Sequence, residues 1–250
     1  MKLENFSKLT YSILSANMAE KNNNVMIKNS WVLANLCANL QNFDKFTLEE
    51  NQNILSMILS YCNSSKEKLV SNGYRALGYY ISNNKDDCLV KVMNFESSKS
   101  QEIANSLNET YLKSFASLSV KVCWNVCVSF ANILKNYKPG FMKIFYREEI
   151  LDNMLTILTS KNNFKTYIHC VDMLTLAFDN FPDNKIFREL PKILCEIYFS
   201  AEEGKIDATE LRYLPHLKSS VNNMIIKLLS GNNEQFFHVI AGEIMSQFPQ

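Results

Sequence analysis

Several side-chain groupings in this chain of 250 residues have the types and spacing that chemistry could use. Cys123 and Cys127 lie four apart, so on a helix they would present two thiols on one face. A structural zinc site needs four ligands at set spacings. The chain has no CxxC and no second such pair, and the neighbours His169 and Cys170 would point about 100° apart on a helix. The two thiols therefore read as small packing residues. Nucleophilic catalysis needs a Ser or Cys activated by a base, yet His169, His216 and His238 each sit in a helical pattern with no Gly-rich elbow beside them. The carboxylate pairs Glu49-Glu50, Asp86-Asp87, Glu148-Glu149 and Glu202-Glu203 fall at helix starts or in loops, where acids favour the helix dipole or water. The six glycines are scattered, so no phosphate-cradling loop forms. No catalytic, metal or cofactor residue is expected, and the chain does not read as an enzyme.

One grouping points to binding. Trp31 and Asn35 are four residues apart and stand one above the other on a helix face. An asparagine amide donates and accepts at once, which suits the backbone of an extended peptide, and an indole beside it can wall off side-chain slots. The competing reading makes Trp31 a core aromatic and Asn35 a hydrogen-bonder at the surface or between repeats.

The elements that must position these residues are helical. Only six Gly and five Pro interrupt the chain, and apolar residues recur at i, i+3, i+4, i+7. The stripe is Ile54, Leu55, Ile58, Leu59, Cys62 in one segment and Ile103, Leu107, Tyr111, Phe115 in another. It is Ile150, Leu151, Met154, Leu155, Leu158 in a third, and Leu217, Val221, Met224, Ile225, Leu228, Leu229 near the end. Short polar breaks at Asn22-Asn23-Asn24, Asn83-Asn84-Lys85, Lys161-Asn162-Asn163 and Gly231-Asn232-Asn233 separate them. Pro191 falls inside an apolar pattern and should kink its helix or delay the start. Asn83 to Lys99 and Ala201 to Glu210 read as insertion loops within one domain over 1–250.

Composition narrows the function classes. Lys and Arg number 26 against 25 Asp and Glu, a balance that lacks the clustered basic footprint of a nonspecific nucleic-acid binder. Seven cysteines, an odd number set among apolar residues, fit reduced thiols of a cytoplasmic or nuclear protein. The opening residues lack a continuous apolar core, so no secretory signal is expected and the sequons at Asn5, Asn63 and Asn108 should stay unmodified. No run approaches the roughly 18 apolar residues of a membrane span.

The most apolar helices resemble one another. Segments 28–40, 70–81, 121–134, 165–178 and 218–229 align on Ala34, Gly78, Ala131, Thr175 and Leu228, at intervals of about 44 and 53 residues in alternation. A small residue on one face lets a neighbouring helix approach closely. Each segment thus reads as the inner helix of a pair whose partner precedes it, from Lys2–Met18 at the start, with a last helix over 234–247. Five pairs stacked in this way make an all-α, right-handed α-α superhelix of the HEAT/armadillo-like solenoid kind. In the alignment Asn35 corresponds to Asn132, and the second repeat offers Arg75 and Tyr79; the fourth has Asp172 and Leu176. Trp124 aligns with Lys28 and Ser71 and reads as core.

Ser71-Asn72-Gly73-Tyr74-Arg75-Ala76-Leu77-Gly78, KVCWNVCVSFANILKN at 121–136, NNFKTYIHCVDMLTLA at 162–177 and Leu211-Arg212-Tyr213-Leu214 resemble the carboxy-terminal solenoid of the HEAT repeat-containing protein 6 family. That resemblance implies the final part of a longer repeat array, acting as an interaction protein, and brings no functional residues with it. The Trp31 and Asn35 pair resembles the Trp-x-x-x-Asn pairs that line the groove of importin-α-like armadillo arrays, which implies peptide binding by Trp31, Asn35, Tyr79 and Asn132. The resulting expectation is a non-catalytic protein-interaction scaffold with a protein or peptide partner, no nucleic acid and no membrane. The alternatives are an importin-like extended-peptide receptor and a purely structural end segment. A monomer is expected; apolar Phe236, Phe237, Val239, Ile240, Ile244, Met245 and Phe248 also allow a dimer through the last helix.

Overall fold

The computed structural model describes residues 12, 22–40, 43–93, 98–115, 119–160, 163–201, 206–230 and 234–246. Apart from Ser12, the expected helix over Lys2–Met18 lies outside the described residues, as do the Glu202-Glu203 pair, the break at Gly231-Asn232-Asn233 and Phe248. All regular structure among the described residues is helical. The helices are α1 (Asn23–Asn39), α2 (Leu48–Cys62), α3 (Glu67–Asn83), α4 (Asp86–Val92), α5 (Ser98–Phe115), α6 (Val120–Lys135), α7 (Pro139–Phe145), α8 (Glu148–Thr159), α9 (Phe164–Asn180), α10 (Ile186–Ser200), α11 (Ala208–Leu211), α12 (Leu214–Ser230) and α13 (Glu234–Ser246). They form two compact units, Met1–Arg147 and Glu148–Gln250.

In the first unit α1, α3 and α6 pack side by side as an inner row, α2 packs on α5 as an outer row, and the short α4 and α7 form a third row. The outer helices present the stripes read from the sequence: Ile54, Leu55, Ile58, Leu59 and Cys62 on α2, and Ile103, Leu107 and Tyr111 on α5, are all buried. The expected insertion loop over Asn83–Lys99 contains α4, because Asp86 and Asp87 open a helix whose Leu89 and Val92 are fully buried. Asp86 also links the short row. Its carboxylate accepts from the backbone N–H groups of Gly140 and Phe141, at 2.8 and 2.7 Å, capping the start of α7.

Side-chain caps fix several of the helix starts. Thr47 and Glu50 form a reciprocal capping box at the start of α2, and Asn22, Ser119 and Asn163 cap α1, α6 and α9. The Asn-rich breaks therefore work as helix starts as much as turns: α1 begins within Asn22-Asn23-Asn24.

In the second unit α9 packs on α12 as an inner row, while α10 packs on both α8 and α13. Lys227 of α12 donates to the Thr175 carbonyl at 2.9 Å and to Asp179 at 2.5 Å on α9. Glu210, in the expected loop that instead holds α11, accepts from the Phe164 N–H at 2.6 Å. Helix α10 does not start late. It runs from Ile186 through a buried Pro191, whose missing N–H leaves the Phe187 carbonyl without its helical donor. On α13, Phe236 and Ile240 are buried, whereas Phe237, Ile244 and Met245 stay exposed.

The cysteines are free thiols, all buried except the half-buried Cys88. Burial pushes Cys37 and Cys62 well above the ordinary thiol range and Cys123 up to about 11. At pH 8 an aromatic disulfide reagent should modify Cys88 slowly and the remaining cysteines only after denaturant is added; rapid titration of several thiols in the native protein would contradict this packing. These pKa values are raised above the unfolded one, so the linked stability is complete below the unfolded thiol pKa of about 8.5. It declines as pH rises past that value.

Candidate functional site

The inner row of the first unit carries all four residues singled out for peptide binding: Trp31 and Asn35 on α1, Tyr79 on α3 and Asn132 on α6. Polar rungs set the register of these helices. Asn72 of α3 donates to Ser30 Oγ of α1 at 2.9 Å, and Asn83 donates to the Cys37 carbonyl at 2.9 Å. Between α3 and α6, Ser119 donates to Glu67 at 3.0 Å near one end, and Asn136 donates to Ser82 Oγ at 2.7 Å near the other. Residues paired in this way advance together along each chain segment, so the three helices run parallel and the aligned positions fall in one row.

The small-residue alignment holds in part. Gly78 lies against α6, where a Cβ would fall 2.8 Å from the Ser129 Cα. The close approach is thus to Ser129, two positions before the aligned Ala131, which is itself only half-buried. A hydroxyl explains the choice: Ser129 Oγ hydrogen-bonds the buried Tyr111 hydroxyl at 2.6 Å, so α6 turns this small polar residue inward.

Trp31 is 55% exposed, which excludes the core reading for it. Asn35 is already engaged. Its Nδ2 donates to the Trp31 carbonyl at 2.9 Å, and its Oδ1 accepts from the Arg75 guanidinium at 3.0 Å. One N–H and one lone pair remain. Asn132 differs: it is half-buried, and its side-chain amide makes no hydrogen bond among the described residues. Tyr79 is half-buried beside this row, and its hydroxyl likewise has no partner among the described residues. The row therefore offers a peptide an exposed indole, a phenol and one uncommitted amide, with Arg75 and Asn35 bonded to each other between them. Sequence alignment gave Asn35 and Asn132 equal weight. The Arg75 contact distinguishes them, and it joins residues 40 apart.

Trp124 is half-buried, less enclosed than a core residue. Cys123 and Cys127 are buried, and among the described residues no group of three or more His, Cys, Asp or Glu could hold a metal ion. His169 is held below the usual imidazole range, chiefly by burial. Among the described residues no helix is long and apolar enough to cross a membrane.

A shallow depression of about 330 Å³ opens beside Trp31, near the amino-terminal ends of the three inner helices. Its walls are Ile27, Lys28, Trp31, Lys68 and Lys121, with Ser71 and Asn72 between. Ser71 is only 7% exposed, and its hydroxyl has no hydrogen-bond partner among the described residues. Sequence reasoning missed this feature. Its lysines lie on three helices, and a serine at mid-helix carries no distinguishing signal.

No family model matches the chain. Among solved structures it is similar to an engineered protein at 12% identity, with 95% of this chain and 96% of that one covered and a TM-score of 0.53. It is also aligned with computationally designed armadillo repeat proteins for modular peptide recognition, at 11% identity, 86% and 98% coverage and a TM-score of 0.36. Yeast importin-β aligns at 12% identity over 89% of this chain and 34% of that one, with a TM-score of 0.39. Only the first likeness is close enough to bear on fold. Together with the stacked helix pairs, the expected fold class holds: an all-α solenoid of HEAT/armadillo-like helix pairs.

Proposed function

We propose that the chain is a non-catalytic protein-interaction scaffold whose inner row in the first unit holds an extended segment of a partner protein. The observation that carries this reading is the uncommitted Asn132 amide in line with the exposed Trp31 indole and the Tyr79 phenol. A half-buried amide that no group among the described residues occupies can exchange its water contacts for a peptide backbone. Trp and Tyr offer large contact areas with little side-chain entropy to lose. Asn35 contributes through its remaining N–H while staying tied to Arg75. The relation to the HEAT repeat-containing protein 6 family belongs to the same proposal and rests on the quoted segments alone. So does a reducing cytoplasmic or nuclear setting, which the buried free thiols favour.

The test is quantitative affinity purification from cells with the wild-type chain, the Asn132→Ala variant and the Trp31→Ala variant. One shared group of partners should fall by about tenfold or more with both variants while the rest persist. A partner set that neither substitution changes would remove the inner row from binding.

A further inference from the structure

We propose that the segment bound by this inner row is acidic, with one bulky apolar side chain seated against Trp31 and flanking carboxylates paired with Lys28 and Lys68. This inference rests on the peptide-binding reading above and adds the chemistry of the partner.

The first support is the distribution of charge. Helices α1, α3 and α6 carry Lys28, Lys68, Arg75, Lys121 and Lys135 and, among acids, only Glu67. That acid is already paired with Lys121, at 3.5 Å, and accepts from Ser119. The inner row of the second unit has no such bias: Lys165, Lys218 and Lys227 stand with Asp172 and Asp179, and Lys227 is paired with Asp179. Near-neutrality of the whole chain, a formal +1, thus conceals a basic face built from three particular helices. Such a face attracts acidic partners and repels basic ones.

The second support is the depression itself. Trp31 forms one wall, and lysine stems can line the remainder while their ammonium groups stay in water. An apolar side chain fits there, with Lys28 and Lys68 lining the same depression as counter-ions for flanking carboxylates. Ser71, only 7% exposed, also borders the depression. Nucleic acid fits less well, because the cations occupy one short stripe around the depression and not an extended track along a phosphate backbone.

The experiment measures fluorescence anisotropy of a fluorescein-labelled peptide of about twelve residues, Glu-rich with a single central Phe, against the full chain. The comparisons are the same peptide with Phe→Gly, with every Glu→Gln, and a single-stranded oligouridylate of similar length. The acidic Phe peptide should bind best. Its affinity should fall about tenfold with Trp31→Ala and about tenfold with Lys28→Glu combined with Lys68→Glu. Both lysines are exposed, so thermal denaturation should be unchanged in the double variant. Lys45→Glu combined with Lys143→Glu, the same charge change elsewhere on the surface, should leave affinity within about twofold. Raising the salt should weaken wild-type binding more steeply than binding by the Lys28→Glu, Lys68→Glu variant.

Equal or better binding of the Gln peptide, lost with Asn132→Ala, would overturn the acidic assignment while leaving the peptide surface standing. Equal binding of oligouridylate would overturn it in favour of a polyanion site. Self-association that Trp31→Ala abolishes would assign the face to a second copy and overturn it too. If no peptide binds and partner recovery ignores Asn132, both this inference and the reading beneath it fail.

Discussion

Asn51→Ala should lower the stability of the first unit by about 3 kcal/mol, the loss expected when several buried polar groups lose their shared partner. Asn51 lies on α2, is 1% exposed and works as a junction. Its Nδ2 faces the carbonyls of Phe43, Phe46 and Thr47 at 3.0, 3.2 and 3.1 Å, and its Oδ1 accepts from the Tyr80 hydroxyl of α3 at 2.9 Å. One amide thereby fixes the turn that leads into α2 and ties α2 to the inner row. Alanine would leave the Tyr80 hydroxyl, which is fully buried, without its shortest acceptor and would open a small cavity. Burial already pushes the Tyr80 hydroxyl well above the ordinary phenol range, so it cannot escape its loss by ionising.

Tyr80→Phe is the informative companion, because it removes one donor and keeps the three carbonyl contacts; about 1 kcal/mol is expected. Urea denaturation of both single variants and the double variant checks the assignment. If Asn51 acts through Tyr80 in part, the double variant should lose about 1 kcal/mol less than the sum of the two singles. A loss for Asn51→Ala no larger than that for Tyr80→Phe would show that the turn carbonyls find other donors.

The helices were readable from spacing alone, and the reason is burial on one face. The stripe Ile54, Leu55, Ile58, Leu59 and Cys62 repeats with the period of the helix because the outer row buries only that side of α2. Helices α4 and α7 were not readable. Each has seven residues, about two turns, too short for the period to repeat, and the core contacts of Leu89, Val92, Phe141 and Phe145 are set by helices far away in the chain. The candidate site was half-readable. Trp31 to Asn35 is a local spacing; Asn35 to Arg75 and the lysines around Ser71 become neighbours only once α1, α3 and α6 are in register. Charge illustrates the same limit. Summed over the chain it cancels, and it acquires a direction only when residues are sorted by the row they occupy.

Gly78→Ala and Gly242→Ala should shift stability in opposite directions, although both replace a helical glycine with the strongest helix former. The intrinsic preference favours alanine by about 1 kcal/mol at either site. At Gly242 on α13 nothing lies within 4 Å of the added Cβ, so the preference acts alone and the variant should be more stable by about 0.5–1 kcal/mol. At Gly78 the added carbon would meet the Ser129 Cα at 2.8 Å and its carbonyl oxygen at 3.0 Å. Backbone atoms cannot rotate away as a side-chain tip can. Helix α3 must then move off α6, which loosens the contact between Tyr111 and Ser129 and the aromatic packing of Tyr111 on Phe130 and Phe145. Overpacking of this kind costs about 1–3 kcal/mol or more, enough to outweigh the helix preference. Gly78→Ala should therefore lower the melting temperature by several degrees, while Gly242→Ala raises it slightly. The same displacement would disturb the row that carries Tyr79 and Asn132, so partner recovery should fall with Gly78→Ala and stay constant with Gly242→Ala. A Gly78→Ala variant as stable as the wild type would mean that the inner helices are not held at this distance, and the alignment of the residues proposed to bind a peptide would lose its structural basis.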